Sequence, residues 1–381
     1  MKWIAFALPS LEQLHPDVPL RDVHVTQGIN EPDALTAVLD SARAFESIYL
    51  EQSGRTRPLL QKYGTLIASP GTTTSGAGAR AFIIDDVPPD ATDQQTLKVS
   101  GVGIGAIPEG TPWLASRFDG IEVDPLDIVR LIWDHLTEHP DDLTVTVDST
   151  RSPVRVGEEE REVNFTTSDG RDVTFDAGPR RLNWWSTDDL MRTLDDLATE
   201  TPFEWSERIT LSPTADTPPA FHIQLGYPMI TPRVMRDLHF EIGVNVFEPE
   251  PPVEDEYFSH VFVLGRGDGS AKKRGSDSRP ATGRLRRVKV ITDQSITTNR
   301  QANEVAKEEV ARAERDAHFI ETCRIHEHPA APIGSFRKGD VIHIKGHTAW
   351  GPHQQWCRIV RTEHRLEDNT IALTLARWRE N

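Results

Sequence analysis

Short apolar and β-branched runs recur along most of the chain and predict a protein built mainly from β-strands. Residues 23–27, 35–39, 81–87 and 96–102 are runs of this kind, and turn signals such as Glu31-Pro32-Asp33 separate them. An Asp-Gly pair in Ser168-Asp169-Gly170-Arg171 joins two alternating runs and predicts a hairpin. Further strands are predicted at 143–148, 162–167, 173–176, 203–211, 221–226, 238–246, 260–264, 285–291, 319–325, 341–345, 355–362 and 370–376.

Three segments show the 3–4 spacing of amphipathic helices instead. The first helix is predicted at residues 125–138, with Asp124 as the N-cap and Pro125 at the first helical position. A second begins after Ser186 or Thr187, and a third covers residues 299–315 with a charged outer face. The apolar positions of the three are Leu126, Val129, Trp133 and Leu136; Leu190, Leu194 and Leu197; and Ala302, Val305, Ala306, Val310 and Ala313. The predicted class is therefore α+β, mainly antiparallel β, with barrels or sandwiches.

Composition places the chain among ordinary globular proteins. Its 381 residues are 37% hydrophobic and 27% charged, which excludes both a membrane protein and a wholly disordered one. The apolar N-terminal run ends at Pro9 without a cleavage site, so we expect a docked strand there and folding in a cytoplasm. Cys323 and Cys357 lie in strand-like runs and are predicted to be buried free thiols.

Charge is distributed unevenly along the chain, whose formal net charge is −17. Residues 1–250 hold 20 basic and 41 acidic side chains, whereas residues 251–381 hold 22 basic and 18 acidic ones. The sign changes at a Pro- and Glu-rich linker, residues 247–256. An acidic body of this kind repels nucleic acid at long range, which argues against a DNA-binding function.

One histidine pair is a candidate metal site. His326 and His328 would point to the same side of a strand, and His343, His347 or His364 could supply a third ligand. Polar residues at a strand end explain the pair equally well, so metal binding stays an open alternative. We assign no catalytic, cofactor-binding or metal-binding residue.

Other candidate motifs have simpler explanations. Arg266-Gly267-Asp268 matches an adhesion tripeptide but lies inside a flexible turn. The basic segment Lys272–Arg279 is predicted to be a loop that could contact phosphates, although we expect it to meet an acidic neighbour or the acidic N-terminal half of the chain. The Gly/Ser/Thr-rich residues 69–80 are predicted to form a loop that is mobile or clamps a partner, with a role in assembly. The serine-hydrolase elbow, the zinc-protease helix and the phosphate-binding loop are all absent from the sequence, so no enzyme is expected.

Several stretches in a fixed order resemble the minor tail proteins of siphophages that infect actinobacteria. These are residues 125–139 with the strand 143–148, residues 186–205, residues 264–269, and residues 284–292 followed by a helix and Gly339-Asp340-Val341-Ile342-His343-Ile344. Phe336-Arg337-Lys338 stands where such proteins have a proline before the Gly-Asp pair. The likeness spans most of residues 20–376.

The resemblance implies a baseplate hub at the tail tip, in which two tube-type β-barrel domains per subunit form a ring, expected to be a homotrimer. It implies a first β-barrel at 1–120, completed by 205–246, a small helix-containing α+β insertion at 121–246, and a second barrel at 257–381 with the helix at 299–315. Expected neighbours are the distal tail ring, the tape measure protein and other tip proteins, with DNA passing without specific binding. The expected location is the virion tail tip, assembled in the host cytoplasm, without a cofactor. A peripheral receptor- or glycan-binding module, or a tail-associated cell-wall hydrolase, is the alternative.

Overall fold

The structure is a computed structural model in which β-strands predominate. It describes residues 2–71, 78–88, 95–159, 161–166, 172–212, 217–247, 249, 258–267, 269–280, 283, 285–294, 296, 298–316, 319–348 and 351–378. The chain divides into two compact units. Unit 1 comprises Met1–Glu160, Gly178–Glu248 and Thr322–Asn381, and unit 2 comprises Arg161–Ala177 and Pro249–Glu321.

The elements are numbered in chain order. The helices are α1 (Ala42–Ser53), α2 (Pro125–Leu136), α3 (Leu190–Glu200) and α4 (Asn299–Asp316). The strands before α3 are β1 (Ile4–Ala7), β2 (Gln13–His15), β3 (Leu20–Gly28), β4 (Ala34–Leu39), β5 (Thr65–Ser69), β6 (Arg80–Asp86), β7 (Leu97–Val102), β8 (Phe118–Gly120), β9 (Val145–Val147), β10 (Arg161–Thr166), β11 (Asp172–Ala177) and β12 (Arg180–Leu182). The strands after α3 are β13 (Glu204–Thr210), β14 (Ala220–Gly226), β15 (Phe240–Glu241), β16 (Val246–Phe247), β17 (His260–Leu264), β18 (Arg274–Ser278), β19 (Val288–Thr292), β20 (Thr322–His326), β21 (Val341–Thr348), β22 (Gly351–Arg365) and β23 (Thr370–Arg377).

Unit 1 is organised around one large sheet of 13 strands. Its strand order is β16-β20-β23-β22-β3-β4-β7-β6-β5-β1-β2, with β21 on a branch from β22 and β15 beside β21. The 15-residue strand β22 is the junction, because it pairs with β21, β23 and β3. Strands from the two ends of the sequence therefore share one hydrogen-bonded sheet.

The helices α2 and α3 pack in a core shared with the small sheet β13-β14-β9. The predicted N-cap of α2 is confirmed, because the Asp124 carboxylate accepts a hydrogen bond from Leu126 N at 3.0 Å. The cap of α3 is Asp189, which accepts from Met191 N at 2.9 Å, slightly later than the sequence predicted. The inward faces are those predicted from the spacing, with Ile128 and Ile132 also buried.

Unit 2 contains the three-stranded sheet β18-β17-β19, on which α4 packs, and the β10-β11 hairpin. Val261 and Val263 of β17 are fully buried against Ala302 and Ala306 of α4. The predicted turn at residues 168–171 and most of the predicted linker at 247–256 lie outside the described residues. The hairpin pairing itself, residues 161–166 with 172–177, agrees with the prediction.

The α+β class with mainly antiparallel pairing is confirmed. The expected division into domains at 1–120, 121–246 and 257–381 stays a prediction; in the structure residues 322–381 supply β20–β23 to the sheet of the N-terminal strands. The helix predicted at 299–315 belongs to unit 2. Among the described strands the sheet path runs from β16 to β2 and its β21 branch ends at β15; an isolated bridge pairs Ile242, directly after β15, with Val246 of β16.

Two smaller expectations are also resolved. The N-terminal segment docks as β1 on β5, as predicted, and both cysteines are buried and free. Burial raises the pKa of the Cys357 thiol to about 12, so this thiol is unreactive at neutral pH. Among the described residues, no helix is both long and apolar enough to cross a membrane.

Candidate assembly surfaces and a charged cavity

A buried ion pair connects the β3–β4 turn of unit 1 to the loop before β21. Lys338 Nζ lies 2.5 Å from Asp33 Oδ1, and Gln27 Nε2 donates to Asp33 Oδ2 at 2.7 Å. Glu207 on β13 accepts hydrogen bonds from the backbone N–H groups of Asp33 and Gly105, at 2.5 and 3.3 Å. Burial raises the pKa of Glu207 to about 7, and the Asp33 charge adds to the rise while Lys338 opposes it.

A second buried pair joins β22 to β13. Arg358 holds Glu204 through two bonds, Nη1 to Oε1 at 2.5 Å and Nη2 to Oε2 at 2.7 Å. The same guanidinium donates to the carbonyl oxygens of Ile230 and Gly339, at 3.2 and 3.3 Å. Because the planar guanidinium donates to both oxygens of the carboxylate, it fixes the relative orientation of the two side chains as well as the distance between them. Both ion pairs therefore tie the C-terminal strands to segments more than 150 residues earlier.

A cavity of about 380 Å³ adjoins these pairs within unit 1. Its described lining comes from β3 and the β3–β4 turn, β6 and the residues before it, β13, β14, residues 230–233, the loop 333–340, β22 and β23. Five cationic side chains and three carboxylates line it: Arg80, Arg208, Arg233, Arg337 and Lys338, with Asp33, Glu207 and Asp340. The cavity is thus positively charged, although unit 1 as a whole holds 27 basic and 42 acidic residues.

An exposed tryptophan pair defines the first candidate assembly surface, on the segment between β12 and α3. Trp184 and Trp185 are 66% and 57% exposed, and their rings meet edge to face with centroids 5.4 Å apart. Thr187 accepts a backbone hydrogen bond from Trp113, next to Leu114, which is 71% exposed. Large apolar side chains on two hydrogen-bonded segments mark a contact surface. We call Leu114, Trp184 and Trp185 the tryptophan surface.

Acidic side chains follow the tryptophan surface along α3. Asp188, Asp195 and Asp196 are exposed there. Partial burial, then repulsion from Asp196 and Asp189, raises the pKa of Asp195 above its ordinary value, which indicates crowded negative charge. A partner that binds this part of unit 1 would bind more tightly if it carried basic groups.

The second candidate surface is the sheet face of unit 2 that α4 leaves open. Residues opposite each other across strands share a face, so Phe262, Leu264, Val288 and Val290 lie together on the side away from Val261 and Val263. Val288 and Val290 are 50% and 57% exposed. The exposed arginines of this region are Arg274, opposite Leu264, with Arg286 and Arg287 before β19. An apolar face with a basic border fits an acidic protein surface.

The histidine candidates do not converge. β20 ends at His326, whose ring packs on Phe247 with centroids 4.4 Å apart, while His328 lies in the following turn and accepts from Ala330 N. His343 stacks on Trp356 at 4.7 Å, elsewhere on β21. The described residues contain no group of three side chains able to hold a metal ion.

The other sequence motifs also acquire definite places. The basic segment Lys272–Arg279 is mostly strand β18 rather than a loop. Asp268 of the adhesion tripeptide and residues 72–77 of the predicted clamp loop lie outside the described residues, whereas Ser69 and Arg80 belong to the strands β5 and β6. Sequence reasoning missed Glu204, Glu207 and Arg358. A charged residue between apolar ones inside a strand was the available signal.

Comparison with solved structures shows a fold shared with a prophage tail protein. The chain is similar to the 43 kDa tail protein of prophage MuSo2 from Shewanella oneidensis, with 12% identity, a TM-score of 0.53, and 99% of this chain and 98% of that chain covered. A tail protein from Neisseria meningitidis MC58 matches with 11% identity, a TM-score of 0.49, and 98% and 96% coverage. Prophage tail protein gp18 from Listeria monocytogenes EGD-e matches with 9% identity, a TM-score of 0.46, and 100% and 96% coverage. No family model and no curated protein matches the sequence.

Proposed function

We propose that this protein is a structural component of a phage tail, a baseplate hub that assembles into a trimeric ring at the tail tip. The observation that carries the proposal is a shared fold over the full length of both chains, 99% and 98%, with a prophage tail protein. The finer assignment, to the minor tail proteins of siphophages that infect actinobacteria, rests on the sequence resemblance. The protein acts by holding neighbours in place and performs no catalysis.

The ring form is supported by surfaces that the fold leaves available. Closed rings arise from head-to-tail contacts between different patches of identical subunits. The tryptophan surface and the open sheet face of unit 2 are two such patches with opposite border charge. In the assembled tail we expect the sheets to close into tube-type barrels. We expect the neighbouring proteins to include the distal tail ring, the tape measure protein and other tip proteins.

The acidity of the chain suits a channel through which DNA passes. A net charge of −17 disfavours binding to the phosphate backbone, so ejected DNA would slide past without specific contacts. The proposed location is the virion tail tip after assembly in the host cytoplasm.

Removal of the tryptophan surface tests the ring directly. The variant Trp184→Ala/Trp185→Ala should remain folded, because both rings are mostly exposed, and should lose self-association in native mass spectrometry and tail incorporation in complementation. Tyr63→Ala removes another exposed ring, 65% exposed, and serves as the matched control. Wild-type assembly of the tryptophan variant would rule out this surface.

A receptor-binding role is the second candidate, and the exposed ring pair is the observation that favours it. Paired aromatic rings on a surface also bind sugars. Glycan-array binding that the Trp184→Ala/Trp185→Ala variant loses, together with a position away from the tail axis, would favour this alternative over the hub.

A further inference from the structure

The cations of the unit 1 cavity outnumber the carboxylates available to neutralise them. Lys338 pairs with Asp33, and Arg233 holds Asp340 through Nε to Oδ1 at 2.8 Å and Nη2 to Oδ2 at 2.5 Å. The third carboxylate, Glu207, accepts from backbone N–H groups instead. Arg80, Arg208 and Arg337 therefore have no carboxylate partner among the described residues.

Two residues that line the cavity each carry a buried polar atom without a hydrogen-bond partner in the described part of the chain. The atoms are Arg80 Nη1 and His364 Nδ1. A buried polar group left unsatisfied costs about 1–3 kcal/mol, and more when it is charged. A ligand oxygen that accepts from Arg80 would remove that cost.

The charges of the lining residues also favour a bound anion in the cavity. Burial, opposed by the Asp33 charge, lowers the pKa of Arg80. Burial, followed by repulsion from Arg233 and Arg208 and opposed by the Asp340 charge, lowers the pKa of Arg337. Burial and the Arg80 charge lower the pKa of His364 to about 4, so this imidazole is neutral at physiological pH. Like charges held together in this way are stabilised by a bound anion.

We propose that this cavity binds an oxyanion, a carboxylate or phosphate group, through Arg80, Arg208 and Arg337. Guanidinium groups match the planar geometry of oxyanions and donate two parallel hydrogen bonds. A volume of about 380 Å³ accommodates a small free oxyanion or the acidic side chain of a neighbouring protein. The inference does not depend on the proposed role in the tail.

Inorganic phosphate and a glutamate-rich peptide are the probes. Phosphate should raise the melting temperature of the full-length protein saturably, beyond the effect of sodium chloride at equal ionic strength. Isothermal titration then compares the wild type with Arg337→Gln, whose side chain is exposed enough for substitution without unfolding, and with Arg80→Gln. Each substitution should weaken binding about tenfold or more. Arg43→Gln on α1, outside the cavity, is the matched control and should bind normally.

The two sources of the anion are separated by competition. Peptide binding that phosphate displaces indicates a protein carboxylate, and phosphate binding without peptide binding indicates a free oxyanion. Either result supports the site if Arg337→Gln weakens it. The proposal is overturned if neither probe binds the wild type, or if Arg337→Gln binds as tightly as the wild type and as Arg43→Gln.

Discussion

Loss of Arg358 should destabilise unit 1 strongly. This side chain is 5% exposed and holds Glu204, 17% exposed, through bonds of 2.5 and 2.7 Å. Arg358→Met leaves the Glu204 carboxylate with Ile230 N, at 2.9 Å, as its remaining partner among the described residues, and removes a donor from two carbonyl oxygens. Breaking a buried pair by removing one partner costs about 3–5 kcal/mol, so we expect a loss of about 4 kcal/mol.

The same strand offers a matched control. Arg361, three residues further along β22, pairs with Glu31 and Glu363 at 3.0 and 3.1 Å, but it is 40% exposed. Exposed pairs contribute about 0–1 kcal/mol because water screens them. Arg361→Met should therefore change stability by less than about 1 kcal/mol.

Tryptophan fluorescence during urea unfolding measures the effect on unit 1 alone, because all nine tryptophans of the chain belong to that unit. The double variant Arg358→Met/Glu204→Gln should recover at least about 2 kcal/mol of the loss, since no unpaired charge remains buried. A loss below about 1 kcal/mol for Arg358→Met, or no recovery in the double variant, would refute the role assigned to this pair.

Two further predictions concern α4 and pH. Gly275→Ala should destabilise unit 2 and speed its amide exchange, because the added carbon would lie 2.2 Å from the backbone of Ala302. Ser276→Ala, at the exposed neighbouring position, is the control and should leave the exchange rates unchanged. The folded state binds more protons at Glu207 than the unfolded state between its ordinary pKa of 4.5 and its raised pKa of about 7. Ionisation of Glu207 therefore lowers the free energy of unfolding as pH rises through that range. Urea titrations at pH 5 and 8 should show a smaller loss for Glu207→Gln than for the wild type. The same pH dependence in the variant and the wild type would contradict this prediction.

Local patterns were sufficient to predict most elements. The apolar spacing of α2, with Asp124 and Pro125 at its start, is a property of neighbouring residues and can be read without tertiary information. Helix α1 was not predicted because only Ala42 and Tyr49 of its twelve residues are buried, so the apolar periodicity is weak. The residue before the helix, Ser41, has a left-handed backbone conformation and makes no side-chain cap.

The candidate site could not be predicted in the same way. Glu204 and Arg358 are 154 positions apart, and nothing local indicates that β22 lies between β3 and β23. Local patterns likewise do not indicate that hydrogen bonding between β22 and β3 joins the two ends of the sequence in one sheet. The charged cavity is likewise assembled from separate segments spread between residues 27 and 371.

The position and copy number of the protein in intact phage particles distinguish a tail-tip hub from a peripheral protein. Electron cryomicroscopy of tails, with the density assigned through the fold of unit 1, would measure both. A trimeric hub requires three copies around the tail axis at the tip. Copies that lie off the axis, or a single copy per particle, would contradict it.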